Sequence, residues 1–402
     1  MGFAELWESL LPLGRDPETG GYRRYSFTPA DAACRRWFEA AAAERGLRTD
    51  CDGNGNLLAS WEGPPGTALA TGSHLDSVPD GGAYDGALGV VSGFAAIDRL
   101  RARGFAPGRP VAVAAFCEEE GARFGQACLG SRLLTGAADP GAARELRDAA
   151  GVTLAEAMNA AGLDPAGIGP DEDLLSGLGL FVELHIEQGS ALDGLGAAVG
   201  IAGGIWPHGR WRLEFTGRAD HAGTTRLADR RDPMLPYAAT VLAARQAAAG
   251  QGALATFGKV SAEPGGANAI SSSVRAWLDA RAPGEAALRR VVAEVEAAAR
   301  RAAADHGVGV GIRQESFTPP VTFDPGLREQ VAAALAARGK PAPELATGAG
   351  HDAGVLAARL PTAMIFVRNP SGVSHSPAEH ATEADCEAGV AALAAVIEEL
   401  AR

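Results

Sequence analysis

The chain has 402 residues, 47% hydrophobic and 21% charged, with a net charge of −13. That length holds two domains, or one large domain with an insertion, around an ordinary apolar core. The acidic balance argues against the basic face of a nucleic-acid binder, yet leaves room for a small anionic substrate held by local arginines.

The five cysteines (Cys34, Cys51, Cys117, Cys128 and Cys386) are scattered and form no CxxC pair. That usage suits reduced thiols in a cytosolic protein. The opening "MGFAELWESLLPLG" lacks a basic leader before its apolar part. No uninterrupted apolar run of about 18 residues follows, so neither a secretory signal nor a membrane span is expected. The expectation is a soluble, cytoplasmic protein.

In chain order, residues 1–200 alternate strand-like and helix-like segments. "ALATGSHLD" (68–76) begins as a strand, "GALGVVSGFAAIDRLRARG" (86–104) is apolar at helical spacing, and "RPVAVAAF" (109–116) and "GLFVELHIE" (179–187) are further strands. This alternation predicts an α/β layer with a largely parallel sheet, whose ligands sit beyond the carboxyl ends of the strands. All three strands spill polar residues there.

From 205 to 318 the rhythm changes. Strand 209–217, helix 234–250, strands 253–263 and 272–281, helix 284–307 and strand 308–317 follow one another. The order β-α-β-β-α-β predicts a ferredoxin-like domain. Helix 326–338, strand 361–367 and helix 384–401 then resume the first pattern. The chain is read as an α/β domain in two pieces, 1–204 and 319–402, interrupted by an inserted domain at 205–318.

The apolar run 111–116 ends in Glu118, Glu119 and Glu120. Three carboxylates at a buried strand end would repel one another and lose hydration. A cation must neutralise them, a glutamate must be protonated, or the run must finish in water. Nearby in the pattern stand His74, Asp76 and Asp85 in "TGSHLDSVPDGGAYDGALG", His185 in "ELHIEQG" and His375 in "PSGVSHSPAEH". Taken singly, each histidine reads as a hydrogen-bonded loop residue, and His306 and His380 keep that reading. Together His74, Asp85, one of the glutamates, His185 and His375 form a nitrogen and oxygen ligand set that suits Zn²⁺, Mn²⁺ or Co²⁺. Asp76, two residues from His74 on a strand end, is placed to orient its imidazole. Cys117 and Cys128 read as packing residues.

Seven ordered blocks carry a resemblance over essentially the whole chain. They are "GSHLDSVPDGGAYDG", "EEEGARFG", "ELHIEQG", "HAGTT" with "RRD", "GGANAIS" with "DAR", "GAGHDA" and "GVSHSPAE". The sequence resembles the M20-type metallo-amidohydrolases, in the hydantoinase/carbamoylase branch of allantoate amidohydrolases and N-carbamoyl-L-amino-acid hydrolases. The resemblance implies a zinc-peptidase-like α/β catalytic domain and an inserted ferredoxin-like α+β lid and dimerisation domain. It implies two divalent metal ions per subunit, Zn or Mn, with Co or Ni also possible. His74, Asp85 and His185 would hold one; Asp85, Glu120 and His375 would hold the other.

By the same resemblance, Glu119 would be general base and then acid toward a water acidified by the metals, and Glu118 would be structural. His221 would stabilise the oxyanion, from the same subunit or from the partner subunit of a homodimer. Asn268 and Arg281 would bind the substrate carboxylate, Arg281 with a two-pronged grip. Gln188, Gly350 and His351 would line the pocket. The implied reaction is hydrolysis of the linear C–N bond of allantoate or an N-carbamoyl-L-amino acid, with no nucleic acid or membrane as partner.

The chain departs from the family pattern where Arg226 and Leu227 follow "HAGTT" in place of proline and methionine. His208, Arg210 and Arg368 are further departures. The arginines among them are surface residues of an arginine-rich chain, or one or more of these departures, with Arg210 the one to test, reads a second negative charge on the substrate. The latter would favour an N-carbamoyl or N-formyl derivative of glutamate. An N-formyl-L-amino-acid amidohydrolase and an M20 aminoacylase or dipeptidase are the rival enzymes. A catalytically dead relative of the same fold would lack part of the ligand set, which is complete here. No serine or cysteine sits in a nucleophile motif.

Overall fold

The computed structural model describes residues 2–339 and 342–402. Its strands, in chain order, are β1 (Arg48–Cys51), β2 (Leu57–Trp61), β3 (Ala68–His74), β4 (Val111–Phe116), β5 (Leu178–Ile186) and β6 (Val199–Ile205). Then come β7 (His208–Thr216), β8 (Asp220–His221), β9 (Leu254–Glu263), β10 (Ala269–Ile270), β11 (Ser273–Arg281) and β12 (Gly309–Thr318). Finally β13 (Val321–Thr322), β14 (Glu344–Thr347) and β15 (Thr362–Val367) close the series. The chain forms two compact units, one of residues up to Gly204 and from Thr322 onward, the other Ile205–Val321. The second boundary falls at 321 rather than the expected 318.

The first unit is built on a nine-stranded sheet among the described residues, in the order β1-β2-β4-β3-β5-β15-β6, with β13 and β14 on β6. The expected parallel sheet holds at its centre: β4 with β3, β3 with β5, and β5 with β15 all run parallel. Its flanks are antiparallel, at β1–β2, β2–β4 and β15–β6. The central strands are covered on both faces, which is why β4 (VAVAAF) and β15 (TAMIFV) are buried at every residue.

Helix Ala87–Arg101 packs on this sheet and is buried almost all round, so its apolar residues spread beyond one stripe. Gly89 permits the approach, because a Cβ there would strike the Leu184 carbonyl of β5. Asp85 stands just ahead of the helix's N-cap, Gly86, and is therefore fixed against the sheet's carboxyl edge. Helix Glu383–Leu400 packs beside it and adds Leu393, Val396 and Ile397 to the same core.

The β1–β2 hairpin has no counterpart in the sequence reading. Its turn is organised by Asp52, whose Oδ1 accepts the backbone N–H of Asn54 and of Asn56. β1 is polar and mostly exposed, so it offers no apolar run to detect.

The inserted unit has an antiparallel four-stranded sheet, β12-β7-β11-β9. Helices Met234–Gln251 and Glu285–Asp305 complete the expected β-α-β-β-α-β order. Trp211, Leu213 and Phe215 of β7 and Val274, Ala276 and Leu278 of β11 alternate inward to a core closed by Leu288, Val291 and Val295 of the second helix. β8 and β10 form a separate two-stranded pair that the sequence reading did not include.

Candidate metal centre

The adjacent parallel strands β4, β3, β5 and β15 end on one edge of the sheet, and each delivers polar residues there. β3 ends on His74, β4 leads into Glu118–Glu120, β5 carries His185, and the loop after β15 brings His375. The ligand atoms of His74, Asp85 and His185 lie within 4.8 Å of one another, and so do those of Asp85, Glu120 and His375. Asp85 belongs to both groups. Its Oδ1 is 3.2 Å from His185 Nε2 and 3.7 Å from His74 Nε2. Its Oδ2 is 3.3 Å from His375 Nε2, which in turn lies 3.6 Å from Glu120 Oε2.

The chemistry of these contacts calls for a cation. His74 Nδ1 faces the Asp76 carbonyl at 3.1 Å, and His185 Nδ1 faces the Ile186 carbonyl at 2.8 Å. A carbonyl only accepts, so the proton of each neutral ring sits on Nδ1 and the Nε2 lone pair points at Asp85. Acceptor then meets acceptor. His185 Nε2 has one donor, the Gly86 N–H at 3.3 Å, and buried Glu120 Oε1 has no hydrogen-bond partner. A divalent ion in each group would turn these opposed lone pairs into ligands, and the nitrogen and oxygen donor set fits one.

Protons take that place in the chain alone. Burial opposes charging of His74, but the Glu119 carboxylate and the contact with Asp85 hold its pKa well above the usual histidine value. The hydrogen bond to Asp85 raises His375 to about 9. Burial works against ionisation of Asp85, yet the hydrogen bonds of His185, His375 and His74 keep it well below the usual carboxylate range. Glu120 is pushed up to about 7 by burial and the Asp85 charge.

The three glutamates have separate environments, and none reaches water freely. Glu118, 1% exposed, takes a positive φ of 54° and accepts the backbone N–H of Arg123 and Phe124 at 2.9 and 2.7 Å. It therefore shapes the turn. Glu119 is buried, with Oε2 3.7 Å from His74 Nε2 and Oε1 3.4 Å from the Cys128 thiol. Burial raises its pKa well above the usual range. It belongs to neither ligand group. Cys117 and Cys128 are both buried, as their packing role requires.

Asp76 differs from expectation. The nearer partner of His74 is its carbonyl, while the carboxylate stands at 3.6 Å. That carboxylate instead accepts the backbone N–H of Glu119 at 3.2 Å and of Glu120 at 3.0 Å. Asp76 thus fixes the glutamate turn more directly than it fixes the imidazole.

Gln188 donates from Nε2 to Asp85 Oδ2 at 3.1 Å and lies 3.3 Å from His375 Nε2. His351 is buried with its ring edge-on to His185, 4.5 Å between centroids, and its Nε2 lacks a partner. Gly350 beside it has open space where a side chain would be. A third group, Glu183, His185 and His351, has metal-like spacing. Glu183, however, already accepts from Ser73 Oγ and the Ala353 N–H, at 2.7 and 3.0 Å.

On the inserted unit, the β8–β10 pair sets His221 opposite Ala269, and the Asn268 carbonyl accepts the Ala222 N–H at 3.0 Å. His221 and Asn268 are thereby neighbours. His221 Nδ1 accepts the Gly223 N–H at 3.0 Å, which leaves the ring proton on Nε2 as an outward donor.

Arg281 has an acidic neighbour that the sequence reading did not include. Its Nε and Nη2 already bind Asp279 at 2.8 and 3.2 Å. Asp279 also attracts Arg210, 3.5 Å away on the opposed strand. Arg368 is held by buried Asp385 at 2.8 Å, and exposed Arg226 pairs with Asp229 at 2.7 Å.

Sequence reasoning missed Glu379. This buried carboxylate accepts two backbone N–H groups of the Asp85 loop. Its position four residues after His375 was the one available signal.

Residues 70–399 match Peptidase family M20/M25/M40. The chain is 37% identical to the N-carbamoyl-L-amino acid amidohydrolase of Geobacillus stearothermophilus, over 99% of this chain and 98% of that protein. It is 33% identical to the allantoate amidohydrolase of Escherichia coli K12, with the same coverage of 99% and 98%. A hydantoinase/carbamoylase family amidase from Burkholderia vietnamiensis superposes with a TM-score of 0.88 at 32% identity, over 99% of this chain and 97% of the other. Family match, full-length relatives and fold agree, and the chain belongs to the M20/M25/M40 peptidase family, among its hydantoinase/carbamoylase amidohydrolases.

Proposed function

We propose that this chain hydrolyses the linear C–N bond of an α-ureido carboxylate, allantoate or an N-carbamoyl-L-amino acid, at a dinuclear metal centre. One observation carries the reading: three imidazoles and two carboxylates converge in two ligand groups that share Asp85. His74, Asp85 and His185 would hold one ion; Asp85, Glu120 and His375 the other. Zn or Mn fits this donor set, and Co or Ni is acceptable to it. When bound, such ions acidify a water and polarise a carbonyl.

The chain's own groups do the rest. Glu119, beside the ligands but outside both groups, takes the proton of the attacking water and passes it to the leaving nitrogen. His221 offers its Nε2 proton to the developing oxyanion. Asn268 and Arg281 bind the substrate carboxylate, with Asp279 orienting the guanidinium. Gln188, Gly350 and His351 line the pocket, and Arg210 meets a second negative charge where the substrate has one.

The inserted unit is read as lid and dimerisation domain of a cytoplasmic homodimer. Among the described residues, no helix is long and apolar enough to cross a membrane.

The test is a hydrolysis panel followed by NMR, with chelator-stripped protein reloaded with Mn²⁺ or Zn²⁺. The substrates are allantoate, N-carbamoyl-L-glutamate, N-carbamoyl-L-methionine, N-formyl-L-glutamate and an N-acetyl amino acid. Metal-dependent turnover of allantoate or a carbamoyl compound is expected. Turnover confined to the formyl or acetyl compound would move the enzyme to deformylation or aminoacylase chemistry. Arg210→Ala should raise KM for the glutamate derivatives alone; an equal rise for the methionine derivative removes Arg210 from substrate recognition.

A further inference from the structure

Glu379 is 4% exposed and lies in the loop that carries His375. Its Oε1 accepts the backbone N–H of Tyr84 and that of Asp85, each at 3.0 Å. Its Oε2 receives Ser374 Oγ at 3.4 Å. Two donors on one oxygen fix two consecutive peptide planes, the backbone from which the Asp85 side chain projects. Gly82 is fitted to the same group, because a Cβ there would collide with the Glu379 side chain.

We infer that Glu379 is a positioning residue: it ties the His375 loop to the Asp85 loop and sets the carboxylate that both ligand groups share. The inference rests on the reading of Asp85 as a shared ligand. Displacing Asp85 then weakens both groups together, whereas losing a ligand of one group weakens that group first. An acceptor oxygen at this position is what the backbone donors require, and a glutamine amide supplies one without the charge.

The experiment is calorimetric titration of the chelator-stripped full chain with Mn²⁺ alone. Glu379→Ala should lower affinity at both sites about 10–100-fold, the usual cost of losing a partner that orients a ligand. Glu379→Gln should stay close to the wild type. Wild-type affinity in Glu379→Ala overturns the inference, and so does a Gln variant as impaired as Ala.

If circular dichroism shows Glu379→Ala unfolded, Gly82→Ala carries the test, because it displaces the same carboxylate without removing it. It should reproduce the loss, and unaltered binding there is equally fatal. Asp85→Ala separates the two levels of the argument. Unchanged binding in that variant sinks the metal centre itself. Loss there with none in Glu379→Ala sinks only the role of Glu379.

Discussion

Glu118, Glu119 and Glu120 show how three identical side chains in succession acquire different chemistry. Glu118 spends one oxygen on two backbone N–H groups of the following turn. Glu120 points at His375 within a ligand group. Glu119 is buried between His74 and the Cys128 thiol and answers to no ligand group. Asp76 holds the arrangement by accepting the backbone N–H of both Glu119 and Glu120. Glu119→Gln should therefore leave metal content unchanged while lowering kcat by about 10²–10⁴, the usual contribution of a positioned general base. Glu120→Gln should lose metal as well as activity. Metal analysis beside steady-state kinetics distinguishes them. A Glu119→Gln protein that stays fully active, or that loses its metal, contradicts the assignment.

At the scale of elements, legibility followed apolar continuity. β4 and β15 could be read because they are unbroken apolar runs, as buried parallel strands tend to be, and β3 and β5 because their apolar residues, interrupted by Thr71 and Glu183, lead into the polar ends that mark the ligand edge. β1 is short and polar, and β8 and β10 have two residues each, so no periodicity announces them. Glu379 escaped notice because its partners are backbone donors nearly 300 positions away. The Asp279–Arg281 pairing was equally hidden, since the sequence shows an arginine but not where its donors point. The convergence of His74, Asp85, Glu120, His185 and His375 could be anticipated because they cluster at strand ends, whereas their division into two groups came from the resemblance.

The expected homodimer is an element-scale matter too. β9 ends its sheet with Leu254 and Val260 exposed, and helix Met234–Gln251 beside it exposes Leu235 and Leu242. An uncovered edge strand with apolar neighbours invites pairing with a second copy. Sedimentation velocity should find a dimer that Leu242→Glu converts to a monomer. A monomeric wild type, or a variant that remains dimeric, counts against that face.

For the molecule as a whole, the acid-rich edge makes stability depend jointly on metal and pH. In the metal-free chain Glu118, Glu120 and Glu379 are each pushed up to about 7, in every case first by burial. A carboxyl whose folded pKa lies above its ordinary 4.5 is bound to more protons folded than unfolded. Its stabilising contribution is complete below that ordinary value and disappears as pH rises through about 7. His375, raised to about 9 chiefly by its bond to Asp85, contributes fully below 6.5 and loses its effect as pH rises through about 9. All four groups therefore weaken the metal-free fold between about pH 5 and pH 9. Divalent ions would counter this at Glu120 and His375, the two of the four that lie in a ligand group, because they favour an ionised carboxylate and a neutral imidazole and displace the protons. Melting temperatures should show it. Stripped protein should melt lower at about pH 8 than at about pH 6, and the gain on adding Mn²⁺ should be larger at the higher pH. A gain that is constant or shrinks with pH would mean that the ions bind elsewhere, or that the buried carboxylates are already ionised without them.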